Sequence, residues 1–325
     1  MDIDLKNISM PIQKELEEFH IEFRNAMRSR VALIDLISKY LLRQKGKKIR
    51  PILVLLSARL CGGINKRTYI GATLVEMLHT ATLIHDDVVD DAKTRRGFPS
   101  INAVWKNKIA VLMGDYLLSR GLLHALDNNE YNFLAITSRA VKRMSEGELL
   151  QIQKNRKLAV DEETYFRIIS DKTASLITAC CEMGASSATN NTENVKHMSE
   201  FGENIGIAFQ LRDDILDYVG KKKLMGKSSG SDLKEKKFTL PLIHALNNSS
   251  KRESKLIIDL VKNGSYSKSR QIVFDFIKEH KGIDYTISKT NEFCLLAKST
   301  ISPFKPSETK ETLVNFVNFI SERVN

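Results

Sequence analysis

Apolar side chains recur at helical spacing along most of the chain. The first such segment spans residues 12–43 and is marked by Leu16, Phe19, Phe23 and Met27. Six further segments before residue 239 share this spacing: 52–60, 67–91, 101–127, 131–152, 162–187 and 193–219. Shorter and more polar helical patterns follow, the last at 313–324. No segment alternates apolar and polar residues as a half-buried strand does, so the pattern predicts an all-α protein.

Breaks in this pattern contain glycine, proline or clustered charge. Two glycines after Cys61 end one predicted helix, and residues 93–100 form a loop with Gly97 and Pro99. The longest break, residues 220–237, holds three glycines and many lysines. The helices on either side of it are equally apolar, which favours a mobile loop over a site rather than a linker. We therefore expect one domain covering residues 1–325.

Composition agrees with a helical protein that has a large core. The 325 residues are 42% hydrophobic, with only 16 glycines and 6 prolines. We find no apolar run that approaches a transmembrane helix, and the first ten residues lack the apolar core of a signal peptide. The four cysteines show neither metal-ligand nor disulfide-framework spacing. These features predict a cytoplasmic protein.

The formal net charge of +11 leaves several readings open. It is compatible with a solvated lysine-rich surface, which is the most common reason for such an excess. It is also compatible with attraction of polyanionic substrates or of an anionic membrane, and with nucleic-acid binding. Charge alone does not decide between these classes.

Two aspartate-rich segments supply the clearest chemistry. Asp86 and Asp90 are four residues apart, so on a helix they share one face, and Asp213 and Asp217 repeat this spacing. Like charges so placed destabilise a helix unless a cation lies between them. Oxygen ligands without a histidine–cysteine cluster favour Mg²⁺ over Zn²⁺, and Ca²⁺ is disfavoured because the EF-hand spacing is absent. The alternative is a solvated acidic helix face.

Basic residues accompany both aspartate segments. They are Lys47, Lys48 and Arg50 at a helix start, Arg95 and Arg96 just after the first segment, and Lys227 and Lys237 after the second. Magnesium together with such cations is suited to binding diphosphates, although single basic pairs are usually only surface. His79 lies two helical turns before Asp86, where a lone histidine is more often a core residue.

Together these segments resemble the trans-polyprenyl diphosphate synthases, which include farnesyl, geranylgeranyl and octaprenyl diphosphate synthases. The similarity runs from about residue 44 to 242 in the family's order. It rests on these segments: Gly46–Pro51, Glu76–His79, Asp86–Asp90 with Arg95–Gly97, Glu146–Glu148, Lys172–Thr173, Gln210–Asp217 and Gly226–Leu233. The resemblance implies a bundle of long helices around a central apolar cavity, a Mg²⁺ cofactor and a homodimer.

The resemblance also implies roles for individual residues. The direct magnesium ligands would be Asp86, Asp90 and Asp213, with Asp87 and Asp217 in support. The allylic diphosphate would be held by Arg95, Lys172, Thr173, Gln210 and Lys227, with Lys237 a weaker candidate. Isopentenyl diphosphate would be held by Lys47, Arg50, His79 and Arg96. Of these groups, Asp86, Asp87, Asp90, Arg95, Lys172, Asp213 and Lys227 are the expected catalytic residues.

The reaction implied is head-to-tail condensation of isopentenyl diphosphate with an allylic diphosphate. Ala81 and Thr82 lie about one turn before Asp86, where short-chain members often carry a bulky aromatic residue. Small side chains there suggest a medium- or long-chain, octaprenyl-like product of the kind used in quinone side chains. Peripheral membrane contact would then serve product release.

Two departures and several alternatives accompany the resemblance. Lys48 stands where many relatives have arginine, and Lys236 where glycine is usual. A short-chain farnesyl or geranylgeranyl synthase remains open, as does a terpene cyclase-like or head-to-head enzyme of the same fold. A non-catalytic subunit of a heteromeric prenyltransferase would be expected to have lost acidic ligands, whereas both aspartate motifs are intact here. The clustered carboxylates argue against a basic nucleic-acid-binding helical protein.

Overall fold

The computed structural model describes residues 5–44, 46–95, 97–157, 161–219, 230–264 and 266–322. These residues fold mainly into α-helices. In chain order the helices are α1 (Leu5–Ser9), α2 (Gln13–Ala26), α3 (Ala32–Arg43), α4 (Ile49–Cys61), α5 (Lys66–Val89), α6 (Ile101–Asp127), α7 (Tyr131–Lys157), α8 (Glu162–Ile169), α9 (Ser175–Ala188), α10 (Thr192–Val219), α11 (Ser231–Lys234), α12 (Leu240–Asn247), α13 (Lys251–Asn263), α14 (Tyr266–Glu279), α15 (Gly282–Thr300) and α16 (Glu308–Glu322).

Three short elements complete the described chain. A 3₁₀ turn, Met10–Ile12, joins α1 to α2, and a π-helical turn, Ser170–Ala174, joins α8 to α9. The strands β1 (Thr94–Arg95) and β2 (Phe98–Pro99) form an antiparallel hairpin. The prediction of an all-α protein is confirmed.

The predicted boundaries of the long helices agree with the structure to within a few residues, but three segments differ. Residues 12–43 are two helices, separated around Ser29, whose hydroxyl accepts a hydrogen bond from the Val31 N–H. The predicted helix 162–187 is interrupted by the π-helical turn. The predicted loop 220–237 contains α11, while its residues 220–229 lie outside the described part of the chain.

The chain divides into two compact units, each assembled from separate segments. The first comprises Met1–Arg139, Ile177–Ser199 and Phe304–Leu313, and the second comprises Ala140–Leu176, Glu200–Pro303 and Val314–Asn325. Asp86 to Asp90 belong to the first unit and Asp213 to Asp217 to the second. The expectation of a single domain remains a prediction.

The core of the first unit is built on α5. Its first turn is fixed by a capping box in which Asn65 and Thr68 exchange side-chain and backbone hydrogen bonds. Every residue from Ile70 to Leu78 is buried, because α4 and α6 pack against this part of the helix. Such burial anchors α5 firmly and leaves its last turn to carry the first aspartate motif.

The second unit has its own apolar core. Side chains from α8, α10 and the helices that follow form one buried cluster, which includes Tyr165, Leu211, Leu240, Leu242, Ile243, Ile257, Val273 and Ile277. The end of α10 packs into this cluster through Leu211 and Tyr218. The second aspartate motif is therefore carried on a turn whose apolar face is held in the core.

One described helix, α6, is long and apolar enough by length and composition to cross a membrane. We expected no such segment, so that expectation is wrong for α6. A single helix of this kind is weak evidence for a membrane span, because core helices of other proteins pass the same test. Its apolar stretch also includes Asp115 and Arg120.

Helix α6 contains a sharp local distortion. Lys106 has φ 72° and ψ 160°, which breaks the helical geometry between the first turn and the rest of α6. This region of backbone space is adopted almost only by glycine, and other residues there cost roughly 1–3 kcal/mol. The Lys106 side chain is exposed, so it has no burial to offset that cost.

Replacing Lys106 with glycine should raise the free energy of unfolding by about 1 kcal/mol. This is the relief of backbone strain less the greater chain entropy that glycine loses on folding, roughly 0.5–1 kcal/mol. Lys108→Gly is the matched control, since Lys108 is exposed in the same helix and has helical geometry. That variant should lower the free energy of unfolding by about 1 kcal/mol. Denaturant titration measures both, and equal losses in the two variants would contradict the assignment of strain.

Candidate active site

The first aspartate motif occupies the C-terminal turn of α5. Asp86 and Asp90 are exposed, and the Asp90 N–H donates to the Asp86 carbonyl (2.8 Å), so both remain in helical register on one face. No basic residue lies in this last turn. The C-terminal end of a helix carries partial negative charge, which adds to that of the carboxylates. A cation at this position is therefore strongly favoured.

Asp87 differs from its neighbours because it is buried. Asp87 is 3% exposed, and its carboxylate accepts a hydrogen bond from Arg95 Nε (2.7 Å). Burial raises the pKa of Asp87, and the bond to Arg95 opposes that rise. Asn102 Nδ2 donates to the Asp87 carbonyl (3.1 Å). Asp87 thus connects the end of α5 to the hairpin and to α6 rather than facing solvent.

The hairpin that carries Arg95 is held from both ends. Ser100 Oγ donates to the Ala92 carbonyl (2.6 Å) across its base. Tyr40 on α3 donates from its hydroxyl to the Pro99 carbonyl (2.7 Å) and packs edge-on against Trp105. Sequence reasoning missed Tyr40, which carries no signal beyond an ordinary helical position. Arg96 lies outside the described residues.

The start of α4 presents the predicted isopentenyl-binding cations. Lys48 adopts a left-handed conformation (φ 51°), and its Nζ pairs with the buried Glu76 (2.8 Å). Arg50 Nη1 lies 2.8 Å from His79 Nε2. Since a guanidinium only donates, His79 Nε2 accepts and its ring proton is on Nδ1. Lys47 is exposed.

A cleft in the first unit brings several of these groups together. Its polar lining includes Lys48, Glu76, His79, Asp87 and Arg95, and its apolar lining comes mainly from α2, α3 and α5. Charged groups beside an apolar wall suit a ligand with an anionic head and a hydrocarbon body. Lys47 and Arg50 are not among the cleft's lining residues.

The second aspartate motif lies at the end of α10 and repeats the pattern of the first. Asp214 is 2% exposed and accepts hydrogen bonds from the Tyr165 hydroxyl (2.6 Å) and from Gln210 Nε2 (2.7 Å). Burial raises the pKa of Asp214 to about 8, and the nearby Asp232 adds to the rise. Thr173 Oγ1 donates to Gln210 Oε1 (2.8 Å), which links the predicted Thr173 and Gln210 directly. Sequence reasoning missed Tyr165.

The outer carboxylates of the second motif differ in their surroundings. Asp217 accepts the backbone N–H groups of Gly230 (3.2 Å) and Asp232 (3.0 Å), so it fixes the chain where α11 begins. Asp213 is partly exposed. No basic residue occupies the last turn of α10, whose partial negative charge lies nearer to Asp217 than to Asp213. Because the Asp217 carboxylate already accepts two backbone N–H groups, Asp213 suits cation binding better than Asp217.

Lys172 and Lys237, the predicted lysines of the second unit that the structure describes, are both partly exposed and paired. Lys172, in the π-helical turn, contacts Glu148 (2.5 Å) and Gln151 (2.7 Å) on α7. Lys237 contacts Glu235 (2.5 Å). Lys236 has φ 56°, the left-handed conformation that explains why glycine is usual there. Lys227 lies outside the described residues.

No group of three histidine, cysteine, aspartate or glutamate side chains within the described ranges forms a complete metal cage. Each motif nevertheless supplies carboxylate oxygens at a negatively charged helix end. Mg²⁺ is commonly held by one or two carboxylates, with water and substrate phosphates completing its shell. The donor set therefore fits Mg²⁺ that binds together with a phosphate-bearing ligand.

A sequence profile of polyprenyl synthetases matches residues 31–276. The chain belongs to the polyprenyl synthetase family. It is 35% identical over 326 residues to the all-trans-nonaprenyl-diphosphate synthase (geranyl-diphosphate specific) of Rhodobacter capsulatus, with all of both chains covered. The expectation of an all-α prenyltransferase of this family is confirmed.

Solved structures of polyprenyl synthetases share the fold. The geranylgeranyl pyrophosphate synthase of Bacteroides thetaiotaomicron is 35% identical, with a TM-score of 0.84 and coverage of 99% of this chain and 100% of that one. The polyprenyl synthase of Caulobacter crescentus, complexed with calcium and isoprenyl diphosphate, is 31% identical, with a TM-score of 0.91 and coverage of 99% and 98%. The similar family members thus include both a geranylgeranyl synthase, with a shorter product, and a nonaprenyl synthase, with a longer one.

The Asp87–Arg95 pair yields a stability prediction. Arg95→Met should lower the free energy of unfolding by about 3 kcal/mol, because it leaves a buried carboxylate without its cation. Lys93→Met is the matched control, since its pair with Asp91 is exposed and should be worth less than about 0.5 kcal/mol. The double variant Asp87→Asn/Arg95→Met should lose less free energy of unfolding than the two single variants lose when their losses are added. Additive losses in denaturant titration would contradict the pairing.

Proposed function

We propose that this protein extends an allylic prenyl diphosphate by head-to-tail condensation with isopentenyl diphosphate. The observation that carries the proposal is that each helix ending in an aspartate motif is accompanied by its own diphosphate-binding candidates. For α5 these include Arg95 and His79, and for α10 they include Lys172 and Thr173. Membership in the polyprenyl synthetase family supports it, and the Caulobacter crescentus relative was solved with isoprenyl diphosphate and a divalent cation.

Mg²⁺ is the proposed cofactor. Asp86, Asp90 and Asp213 would hold it: Asp86 and Asp90 are exposed at the negatively charged end of α5, and Asp213 is partly exposed near the end of α10. When bound, Mg²⁺ supplies charge neutralisation of the allylic diphosphate and so makes it a better leaving group. Asp87 and Asp217 support these ligands by fixing the adjacent backbone.

Cationic and polar side chains would hold the two diphosphates. We assign the allylic diphosphate to Arg95, Lys172, Thr173, Gln210 and Lys227, with Lys237 less directly involved. We assign isopentenyl diphosphate to Lys47, Arg50, His79 and Arg96. The pairing of Lys48 with Glu76 supports leaving Lys48 out of this second group.

The chemistry asks these side chains to bind, orient and exclude water. Cations that hold the allylic diphosphate stabilise the charge that develops on it as the carbon–oxygen bond breaks. The isopentenyl double bond then attacks the allylic carbocation, and a proton is lost. The departing diphosphate accepts that proton, so no side-chain base is required. Apolar walls are needed because water would trap the carbocation.

Product length is proposed to be medium or long, as for quinone side chains. Ala81 is 2% exposed, and Thr82 directs its hydroxyl to the His79 carbonyl (2.9 Å), so both positions before the first motif carry small groups. The similarity to a nonaprenyl-diphosphate synthase supports this choice. A geranylgeranyl-length product remains the alternative, given the equally similar Bacteroides enzyme.

We also propose that the protein is a cytoplasmic homodimer that contacts membranes peripherally during product release. One face of α6 supports the dimer, because it leaves large apolar side chains exposed: Val104, Val111, Leu112, Leu123 and Leu126. Contiguous apolar patches on a protein surface can mark protein interfaces. A second copy of the chain would cover it.

Incubation with farnesyl diphosphate, isopentenyl diphosphate and Mg²⁺, followed by product sizing, tests the proposed activity. We expect elongated prenyl diphosphates from the wild-type protein and none from Asp86→Ala. Lack of isopentenyl consumption by the wild type, or full activity of Asp86→Ala, would refute the proposal.

The two outer aspartates of the second motif should differ in their effect on rate. Asp213→Asn should lower kcat by about 10²–10³-fold, since it removes a carboxylate that would hold the Mg²⁺ needed to neutralise the diphosphate. Asp217→Asn should lower kcat by about tenfold at most, because an amide oxygen still accepts a backbone N–H from Gly230 or Asp232. Steady-state kinetics at saturating substrates and Mg²⁺ compare them. Equal losses of kcat would indicate that Asp217 is a direct magnesium ligand, as proposed for Asp213.

Bulk at the two positions before the first motif should shorten the product. Replacing Ala81 and Thr82 with phenylalanine should shift the product distribution to fewer isoprene units, because the side chains would block a chain growing past α5. Thr82→Val is the control, since it removes the hydroxyl without adding volume and should leave length unchanged. An unaltered distribution on chromatography in the phenylalanine variant would contradict this role.

A further inference from the structure

The π-helical turn Ser170–Ala174 carries two of the proposed allylic-diphosphate residues, Lys172 and Thr173. Its wider winding is seen in the hydrogen bond from the Ser175 N–H to the Ser170 carbonyl, five residues back. Such turns are rare and are frequently found at functional sites. The surrounding structure holds this turn in place.

Two glycines allow neighbouring helices to hold the turn closely. A Cβ at Gly147 on α7 would lie 2.8 Å from the Lys172 backbone nitrogen. A Cβ at Gly206 on α10 would lie 2.6 Å from the Ala174 Cα. Both distances are too short for any side chain, so α7 and α10 each contact the turn backbone to backbone.

Arg143 on α7, one helical turn before Gly147, ties these parts together. Its Nε donates to Asp171 Oδ1 (2.8 Å), and its Nη2 donates to Ser170 Oγ (2.7 Å). Its Nη1 and Nη2 also donate to both carboxylate oxygens of Glu203 on α10 (3.0 and 2.9 Å). Ser170 Oγ in turn donates to Glu203. One guanidinium thus links α7, two residues of the turn, and α10.

This network is stronger than a surface ion pair. Arg143, Asp171 and Glu203 are all partly buried, and the forked bond to Glu203 is the geometry in which arginine binds a carboxylate best. That bond, followed by the bond to Asp171, raises the pKa of Arg143 against the opposing effect of burial. The side chain therefore remains a cation that both carboxylates can hold.

We infer that Arg143, together with Glu203, is a positioning residue for the allylic-diphosphate site and acts by fixing the turn that presents Lys172 and Thr173. The inference rests on the proposed function. Lys172 Nζ reaches Glu148 and Gln151 on α7, and Thr173 reaches Gln210 on α10. Arg143 bridges those same two helices, so a shift of the turn would displace both side chains.

Kinetics of matched variants test this role. Arg143→Met should lower kcat/KM for farnesyl diphosphate by about 10- to 100-fold, as misplacement of a binding group by about 1 Å does. KM for isopentenyl diphosphate should stay within about twofold of wild type, because the turn carries residues assigned to the allylic diphosphate and none assigned to isopentenyl diphosphate. Arg143→Lys should recover part of the loss, because lysine keeps the charge but not the forked bonds. Arg139→Met, on the same helix, is the control and removes only the pair with Glu182.

A double variant separates positioning from general stability. In the Lys172→Ala background, adding Arg143→Met should lower kcat/KM for farnesyl diphosphate far less than it does in the wild type, because both changes act through the same group. Additive losses, or a lower Tm with unchanged kinetics, would overturn the inference. If Arg143→Met does not fold, Glu203→Gln carries the same comparison.

The same set of variants distinguishes this inference from the proposed function. If Lys172→Ala loses activity while Arg143→Met and Glu203→Gln do not, only the positioning role is wrong. If Lys172→Ala is as active as wild type, the assignment of Lys172 to the allylic diphosphate fails, and the positioning role fails with it.

Discussion

Asp87 and Asp214, the second aspartates of their motifs, are carboxylates that the fold has removed from water. Burial of a charge is costly unless it is paired and hydrogen-bonded. Arg95 pairs with Asp87, whereas Asp214, whose pKa burial raises to about 8, is held by hydrogen bonds from the neutral side chains of Tyr165 and Gln210. These bonds connect each helix end to its neighbours: the hairpin after α5, and α8 beside α10. The remaining carboxylates of each motif are consequently presented from a fixed turn.

The cations proposed to bind substrate are also held by protein partners. Arg50 contacts His79, Lys172 contacts Glu148, and Lys237 contacts Glu235. Such pairing keeps long side chains near their working positions, which lowers the entropy lost when a diphosphate binds. The net charge of +11 provides a background potential that attracts polyanionic substrates. Local geometry, rather than total charge, then determines which cations contact them.

Much of the fold was predictable from hydrophobic spacing, because buried faces such as Ile70–Leu78 require apolar residues. The aspartate motifs were equally visible, since their carboxylates stand at fixed spacing on apolar helices. Arg143 and Tyr165 were not, because a partly buried arginine and a buried tyrosine look ordinary until their partners from distant helices are known. The π-helical turn was missed for a similar reason: its cause is packing against Gly147 and Gly206, not its own sequence.

The central claim is that the aspartate motifs bind an allylic diphosphate through Mg²⁺. Calorimetric titration with unreactive farnesyl thiodiphosphate, with and without Mg²⁺, tests it directly. We expect Mg²⁺ to tighten binding to the wild-type protein by about 100-fold, equivalent to about 2.7 kcal/mol, and Asp86→Asn and Asp213→Asn each to lose most of that gain. Equal affinity with and without Mg²⁺ in the wild-type protein would contradict it.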